Sequence, residues 1–255
     1  MKVCDVRNIR IGEGMPKICV PIVDETLEQI IETAWKIKFS VADLVEWRAD
    51  FFEYINDFEK IKDVLKHLRD ILEMPILFTL RTANDGGKTN IAIKDYVKIN
   101  SEISSLQMAD IIDVELSGGS ENVKQIIDIA GENDVKTIVS HHRKDTPAKD
   151  KIVEMLKTMQ DFSPDMVKIA LSPKSNKDVI TLLSAMDEMT ENFAKMPIIA
   201  ISMTNIGVIT RVSQEMFNSS ITFASLEKCS APGQIGVDEM KTILRIMNKA
   251  FDKYD

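Results

Sequence analysis

Short apolar runs alternate with amphipathic stretches at nearly regular intervals along the 255 residues. The apolar runs predict eight strands: 17–23, 44–48, 75–81, 111–115, 136–142, 166–170, 197–202 and 221–224. The stretches with helical periodicity predict eight helices: 26–38, 58–73, 91–107, 121–133, 149–161, 176–192, 208–217 and 237–253. Eight strands that each precede a helix, in a chain of this length, are typical of an α/β fold, the (β/α)8 or TIM barrel.

No Pro/Ser-rich linker or low-complexity segment divides the chain, so residues 1–255 are predicted to form a single barrel domain. Residues 1–14 precede the first strand and are predicted to be a short N-terminal extension that covers the barrel floor. A doubly wound open sheet is the alternative fold, but no Gly-rich fingerprint follows the first predicted strand.

Strand parity predicts a charged interior near the strand ends. Successive side chains of a strand point to opposite faces, and in a barrel one face points into the lumen and the other towards the helices. On three strands the charged residues share the face opposite their apolar neighbours: Glu46, Arg48, Asp113, Glu115 and Lys168. The carboxyl ends of the strands are where this fold keeps its active site. A buried salt-bridge network without chemistry is the other interpretation.

Lys168 is the most unusual of these residues because Val167 and Ile169 flank it in an apolar strand. Burying an ammonium group is costly, so a lysine in such a strand usually has a charged partner or a lowered pKa. A free amine near neutral pH forms imines (Schiff bases) with ketones. The other interpretation is an edge-strand lysine whose ammonium group reaches solvent.

Composition limits the class of protein. The chain is 44% hydrophobic and 28% charged, which is sufficient for a sizeable core. Its net charge of −8 argues against a nucleic-acid role, which needs a basic face. No apolar run approaches a membrane span, so no membrane partner is expected. Cys4, Cys19 and Cys229 are odd in number and lack metal-type spacing, which predicts reduced thiols in a cytoplasmic protein.

Histidines and arginines follow the predicted strand ends. His141 and His142 end the fifth strand, and because neighbours alternate faces only one should enter the lumen, which argues against a metal site. The next strand carries Lys168, about 5 Å away, so a histidine and this lysine can address one substrate. Arginines near three strand ends suit a carboxylate or a polyhydroxylated anion: Arg48, Arg81 and Arg211.

Seven short motifs follow one another in order near the strand ends. They are Glu46-Trp47-Arg48-Ala49-Asp50, Phe78-Thr79-Leu80-Arg81 with Gly86-Gly87, Asp113-Val114-Glu115-Leu116, Ser140-His141-His142, Lys168-Ile169-Ala170, Arg211, and Ser230-Ala231-Pro232-Gly233-Gln234. Together they resemble the type I 3-dehydroquinate dehydratases, lyases of the shikimate pathway, over essentially the whole chain.

The resemblance implies cofactor-free dehydration of a small molecule, 3-dehydroquinate, to 3-dehydroshikimate. Lys168 would form an imine with the C3 ketone, and His142 would remove a C2 proton and protonate the departing C1 hydroxyl, a syn elimination. Arg211 would pair with the substrate carboxylate. The other residues implied to hold the substrate or to close a loop over it are Glu46, Arg48, Arg81, Gln234 and Ser230. The resemblance also implies a homodimer.

Two departures from the family pattern affect the histidine. The family usually has a glutamate just before the Gly-Gly pair, where it orients the catalytic histidine; here the residue is Asp85, whose carboxylate reaches about one methylene less. The family also commonly has Asp-Phe after the histidine, where this chain has Arg143-Lys144. These cations are expected to lower the histidine pKa, since a nearby positive charge disfavours imidazolium.

Two other functions are compatible with the sequence. A class I aldolase is also a barrel with an imine-forming lysine, but it would normally have a phosphate-binding loop near the last strands, and the segment 230–234 lacks the Gly-rich amides for one. A ligand-binding barrel without catalysis is the second alternative. The presence of both Lys168 and His142 argues against it, because binding alone does not need a buried amine.

Overall fold

A computed structural model describes residues 3–251. Its strands are β1 (Cys4–Val6), β2 (Ile9–Ile11), β3 (Lys17–Ile22), β4 (Leu44–Arg48), β5 (Ile76–Thr79), β6 (Ile111–Glu115), β7 (Lys136–Arg143), β8 (Met166–Leu171), β9 (Ile198–Ser202) and β10 (Ile221–Phe223). Its helices are α1 (Leu27–Lys38), α2 (Phe58–Ile71), α3 (Ile93–Ser105), α4 (Ser120–Glu132), α5 (Lys149–Asp161), α6 (Asn176–Asn192), α7 (Ile209–Val212) and α8 (Val237–Phe251).

Strands β3 to β10 form one parallel sheet in the order β10-β3-β4-β5-β6-β7-β8-β9. The ring of strands closes through a parallel bridge between Ile198 and Ser219, where the Ser220 N–H donates to the Ile198 carbonyl at 2.8 Å. A helix follows each of these strands. The predicted (β/α)8 barrel is therefore confirmed.

The antiparallel hairpin of β1 and β2 lies at the bottom of the barrel. Its apolar side chains Cys4, Val6 and Ile11 belong to the same buried cluster as the residues that fill the lower lumen: Leu44, Leu77, Ile111, Ile138, Met166, Ile199 and Ile221. Asp110 accepts hydrogen bonds from the Arg7 side chain of the hairpin and from the Ile76 N–H of β5. The extension thus covers the barrel floor, as predicted.

Two separate apolar clusters confirm the predicted strand parity. Val45, Trp47, Val167 and Ile169 belong to the outer cluster, between the sheet and the helices. Met166 and Ala170, on either side of Lys168 at spacing two, belong to the inner cluster. Lys168 therefore points into the lumen, as the alternation of side chains requires.

Side-chain caps begin several helices where the sequence predicts them to start. The Thr26 side chain accepts from the Gln29 N–H before α1, and Asp57 accepts from two amides at the start of α2. Ser175 and Asp178 form a capping box at α6. These caps satisfy amides that have no partner within the helix.

The predicted helix 208–217 is wrong over its second half. The helix α7 contains only Ile209–Val212, and the chain then turns back towards β10. Asn218 adopts a positive φ of 52°, and the Ser219 N–H donates to the Gln214 carbonyl at 2.9 Å. The strand β10 begins only three residues after Asn218, so the chain must reverse there and cannot continue the helix. The predicted end of the last helix, at residue 253, lies outside the described residues.

Candidate active site

One cavity of about 260 Å³ lies at the carboxyl ends of the barrel strands. Nine residues predicted to act on the substrate, hold it or orient the histidine line this cavity: Glu46, Arg48, Arg81, Asp85, His142, Lys168, Arg211, Ser230 and Gln234. They come from β4, β7 and β8 and from the segments that follow β5, β9 and β10. The fold therefore brings residues far apart in sequence to a single site, at the end of the barrel where this fold carries its chemistry.

The Lys168 amine has two carboxylate neighbours. Its Nζ lies 3.5 Å from Oδ2 of Asp113 and 3.6 Å from Oε1 of Glu46, and the side chain is only 5% exposed. The Phe223 ring lies on another side, with its centroid 4.4 Å from Nζ. The lysine thus has charged partners and does not reach solvent, which excludes the edge-strand interpretation.

Arg81 connects the acids around the lysine. Its Nη2 donates to Asp113 at 2.7 Å, and its Nη1 donates to Glu115 and to Ser140, both at 3.0 Å. Burial disfavours the charge on each of these groups; it raises the pKa of Glu115, whereas for Arg81 and Asp113 their mutual attraction is stronger than burial. The pKa of Arg81 is consequently raised and that of Asp113 lowered. Asp113 is therefore ionised beside Lys168.

A different ion pair holds Arg48 at the end of β4. The Arg48 guanidinium donates two hydrogen bonds to Asp50, at 2.7 and 2.8 Å, and Asp50 also accepts from the Lys88 N–H at 3.0 Å. Asp50 thus joins β4 to the segment that carries Asp85. Gly87 of that segment is required by close packing, because a Cβ atom there would lie 2.0 Å from the Arg81 carbonyl oxygen.

Asp85 contacts His142 through the backbone. Its Oδ2 accepts from the His142 N–H at 3.0 Å, whereas the ring Nδ1 of His142 is 3.9 Å away and that of His141 is 3.6 Å away. Burial raises the pKa of Asp85, but the nearby His141 ring, the hydrogen bond from the His142 N–H and the charge of Arg81 outweigh burial, so the pKa is lowered. The shorter carboxylate thus fixes the backbone of His142 without a hydrogen bond to its ring.

The pKa of His142 is held well below its usual 6.5, first by burial and then by the charges of Arg81, Lys168 and Arg48. The predicted direction of this pKa shift is confirmed, but its main causes are burial and these three charges, and not the Arg143-Lys144 pair. A neutral imidazole can accept a proton at neutral pH, as a general base must. His142 lines the cavity and His141 does not, as expected for neighbours on opposite faces of a strand.

Arg211 joins the cavity to the loop after β10. It is buried, and its guanidinium donates to the carbonyl oxygens of Phe223 and Pro232, at 3.4 and 3.2 Å. Burial without a carboxylate partner among the described residues lowers its pKa to about 10. In the same loop the Gln234 side-chain Nε2 donates a hydrogen bond to the Ser230 Oγ at 2.9 Å. An arginine that lacks a carboxylate partner is well suited to bind an anionic ligand.

Phe223 and Ser140 have no predicted role from the sequence, although each contacts a central residue of the site. Parity was an available signal for both. Ser140 shares the inward face of β7 with His142, and Phe223 follows Ile221 at spacing two on β10.

Within residues 3–251, no group of three or more His, Cys, Asp or Glu side chains could hold a metal ion, and no helix is long and apolar enough to cross a membrane.

A TIM barrel whose cavity at the strand ends is lined by Lys168, His142 and several arginines defines the class of protein: a barrel enzyme with its site at the carboxyl ends of the strands. Residues 18–250 match the family model for type I 3-dehydroquinase. The chain therefore belongs to the type I 3-dehydroquinase family and is a lyase of that family.

Relatives and solved structures agree with this assignment. The 3-dehydroquinate dehydratase of Clostridium botulinum is 43% identical over 250 residues, which are 97% of this chain and 98% of the relative. The type I 3-dehydroquinate dehydratase of Clostridium difficile, solved with covalently modified comenic acid, superposes with a TM-score of 0.95 at 41% identity and covers 98% of both chains. The Geobacillus kaustophilus enzyme superposes with a TM-score of 0.94 at 34% identity, over 97% of both chains.

Proposed function

We propose that this chain removes water from 3-dehydroquinate to give 3-dehydroshikimate, through an imine between Lys168 and the C3 ketone. The amine attacks the ketone carbon and water leaves, which makes the adjacent C2–H acidic. His142, as the neutral base, takes the C2 proton; the C1–O bond breaks, and His142 returns a proton to the departing hydroxyl. Hydrolysis of the imine then releases the product and restores the amine.

The observation that carries the proposal is the common position of Lys168 and His142 in one buried cavity. They lie on adjacent strands, where Ser140 pairs with Lys168 and His142 pairs with Ala170, and both side chains line the cavity. A base that is neutral at neutral pH beside an amine is the pair that this elimination needs. The covalently modified ligand of the Clostridium difficile relative is consistent with a reactive group in such a cavity.

The other cavity residues have proposed roles that follow from their contacts. Arg211 pairs with the substrate carboxylate, because it is the buried arginine without a carboxylate partner among the described residues. Asp85 positions His142 through its backbone N–H. The groups proposed to hold the ring hydroxyls or to close the β10 loop over the site are Glu46, Arg48, Arg81, Ser230 and Gln234.

Reductive trapping tests the imine. Borohydride added together with 3-dehydroquinate should reduce the imine to a stable secondary amine, and peptide mass analysis should place the added mass on Lys168. Lys168→Met is the negative control, and Lys249→Met, at the opposite end of the barrel, is the matched control that should still be labelled at Lys168. Turnover without any label on Lys168 would exclude the imine route, and the absence of turnover in the unmodified enzyme would refute the function itself.

The expected homodimer stays a prediction. Sedimentation velocity of the purified protein would test it, since a monomer of 28.8 kDa and a dimer differ twofold in mass.

A further inference from the structure

More cationic than anionic side chains line the cavity, although the protein as a whole is negatively charged. The chain has a net charge of −8, but six of the side chains that line the cavity are cationic: Arg48, Arg81, Arg143, Lys144, Lys168 and Arg211. The carboxylates that line it are Glu46 and Asp85. An excess of one sign of charge on the lining of a cleft raises the local concentration of an oppositely charged ligand.

Most of these cations are already paired. Arg48 pairs with Asp50, Arg81 with Asp113 and Glu115, Lys168 with Asp113 and Glu46, and Arg143 with Asp145. Among residues 3–251, two cations that line the cavity have no carboxylate within ion-pair distance: Arg211 and Lys144. Arg211 is buried, whereas Lys144 is exposed to solvent. These two are the charges available to an incoming anion.

The backbone on which Lys144 stands is held in place. Arg143, directly before it, is the last residue of β7, and its carbonyl accepts from the Ser172 N–H at 3.1 Å. The Arg143 guanidinium donates to both carboxylate oxygens of Asp145, directly after Lys144, at 2.8 and 3.0 Å. The backbone of Lys144 is therefore held at the cavity, which its side chain lines, although the residue lies outside the strand.

We propose that Lys144 is a specificity-determining residue that attracts the carboxylate of the substrate to the cavity mouth before Arg211 binds it. The substrate class is a small cyclic carboxylate, so this inference rests on the proposed function. An exposed charge acts through screened long-range attraction, whose range is about 8 Å at physiological ionic strength. It should therefore affect capture of the anion and leave the chemical steps unchanged.

Steady-state kinetics of Lys144→Gln test the proposal. We expect KM for 3-dehydroquinate to rise about threefold to tenfold at low ionic strength, with kcat within about twofold, because one charge supplies part of the attraction of such a cleft. The difference from the unmodified enzyme should shrink below about twofold in 0.5 M salt. Lys144→Arg keeps the charge and should have the KM of the unmodified enzyme. Lys144→Glu reverses the charge and should have a higher KM than Lys144→Gln.

Lys249→Gln is the matched control, since it makes the same change in net charge on the exposed C-terminal turn of α8, at the other end of the barrel. An equal rise in KM in both variants would reduce the effect to net charge and overturn the proposal. A fall in kcat without a change in KM would place Lys144 in the chemistry and overturn it as well. Turnover of the unmodified enzyme tests the proposed function separately, because its absence does not depend on Lys144.

Inhibitor binding gives a second measurement that does not depend on turnover. Quinate, which is the substrate with its C3 ketone reduced to a hydroxyl, and its neutral methyl ester form a thermodynamic cycle with Lys144→Gln. The substitution should weaken quinate binding about threefold to tenfold and leave the ester unchanged. Equal weakening of both ligands would show a contact with the ring instead of attraction of the carboxylate, and would refute the proposal.

Discussion

The lower and upper halves of the barrel lumen are built on the same strands but have opposite character. On β8, Met166 belongs to the inner apolar cluster at the floor, whereas Lys168, two residues further on, lies beside the carboxylates of Asp113 and Glu46. On β6, Ile111 and Asp113 show the same change. Two residues of a strand span about 6.6 Å. One step along the strand thus separates residues that hold the barrel together from residues that are available for chemistry.

The two halves also differ in the energy terms that stabilise them. In the floor, stability comes from apolar area removed from water. In the upper half, each charge is costly to bury and persists because its partners are in place, as for Arg81 between Asp113 and Glu115. A substitution in the floor should therefore change stability, and one at the upper ends should change activity and titration.

The largest expected effect is on the histidine at the upper end. His142→Ala should lower kcat by about 10²- to 10⁴-fold, the usual contribution of a general acid/base. His141→Ala is the matched control, because His141 does not line the cavity, and it should largely retain turnover. Turnover with 3-dehydroquinate and circular dichroism of both variants provide the measurement. The reverse ranking of the two variants would contradict the assignment from strand parity.

A substitution in the barrel floor should lower stability and leave activity nearly unchanged. Leu77 is fully buried in the lower lumen, and Leu77→Ala should lower the free energy of unfolding by about 2–5 kcal/mol through lost burial and a cavity. Its kcat and KM at 25 °C should stay close to those of the unmodified enzyme. Urea unfolding and steady-state kinetics measure the two quantities. A large loss of kcat in a folded Leu77→Ala protein would break the division between floor and site.

The inward position of the charged side chains could be predicted from the sequence, because it depends only on the two-residue period of a strand. That period placed Glu46, Asp113 and Lys168 on the inner face without knowledge of any distance. The atoms that meet across the lumen could not be predicted, since they depend on the register of neighbouring strands and on loop geometry. Asp85 illustrates the limit: its presence near His142 was expected, but its bond to the backbone N–H was not.

The short helix α7 shows a second limit. The residues 208–217 have helical periodicity, yet the chain turns after Val212 because the closure of the barrel at Ser219 determines where β10 begins. Barrel closure is a property of the whole sheet. No local pattern reports it.

The pKa of His142 tests the electrostatic description of the upper half of the lumen. Burial and nearby cations disfavour imidazolium, so the ring should remain neutral as the pH falls through 6.5. Lys168→Met removes one of these cations and should move the pKa of His142 upwards. Nuclear magnetic resonance of the three histidines, with His141→Ala for assignment, measures both values. A ring that titrates at or above 6.5 in the unmodified protein would contradict the electrostatic description of the upper half.

The smallest effect is expected from Asp85→Glu, which adds one methylene to a carboxylate that now lies 3.9 Å from the ring Nδ1 of His142. The longer side chain should bring the carboxylate towards the ring, and because a nearby negative charge favours imidazolium, the pKa of His142 should rise. The acid limb of kcat/KM, which reports the pKa of the free enzyme, should move to higher pH, while the maximal rate changes by less than about tenfold. Asp85→Asn is the control, since it keeps the length and removes the charge, so it should not raise the pKa of His142. An equal upward shift in both variants would show that the backbone contact, and not the distance of the charge from the ring, controls the titration of His142.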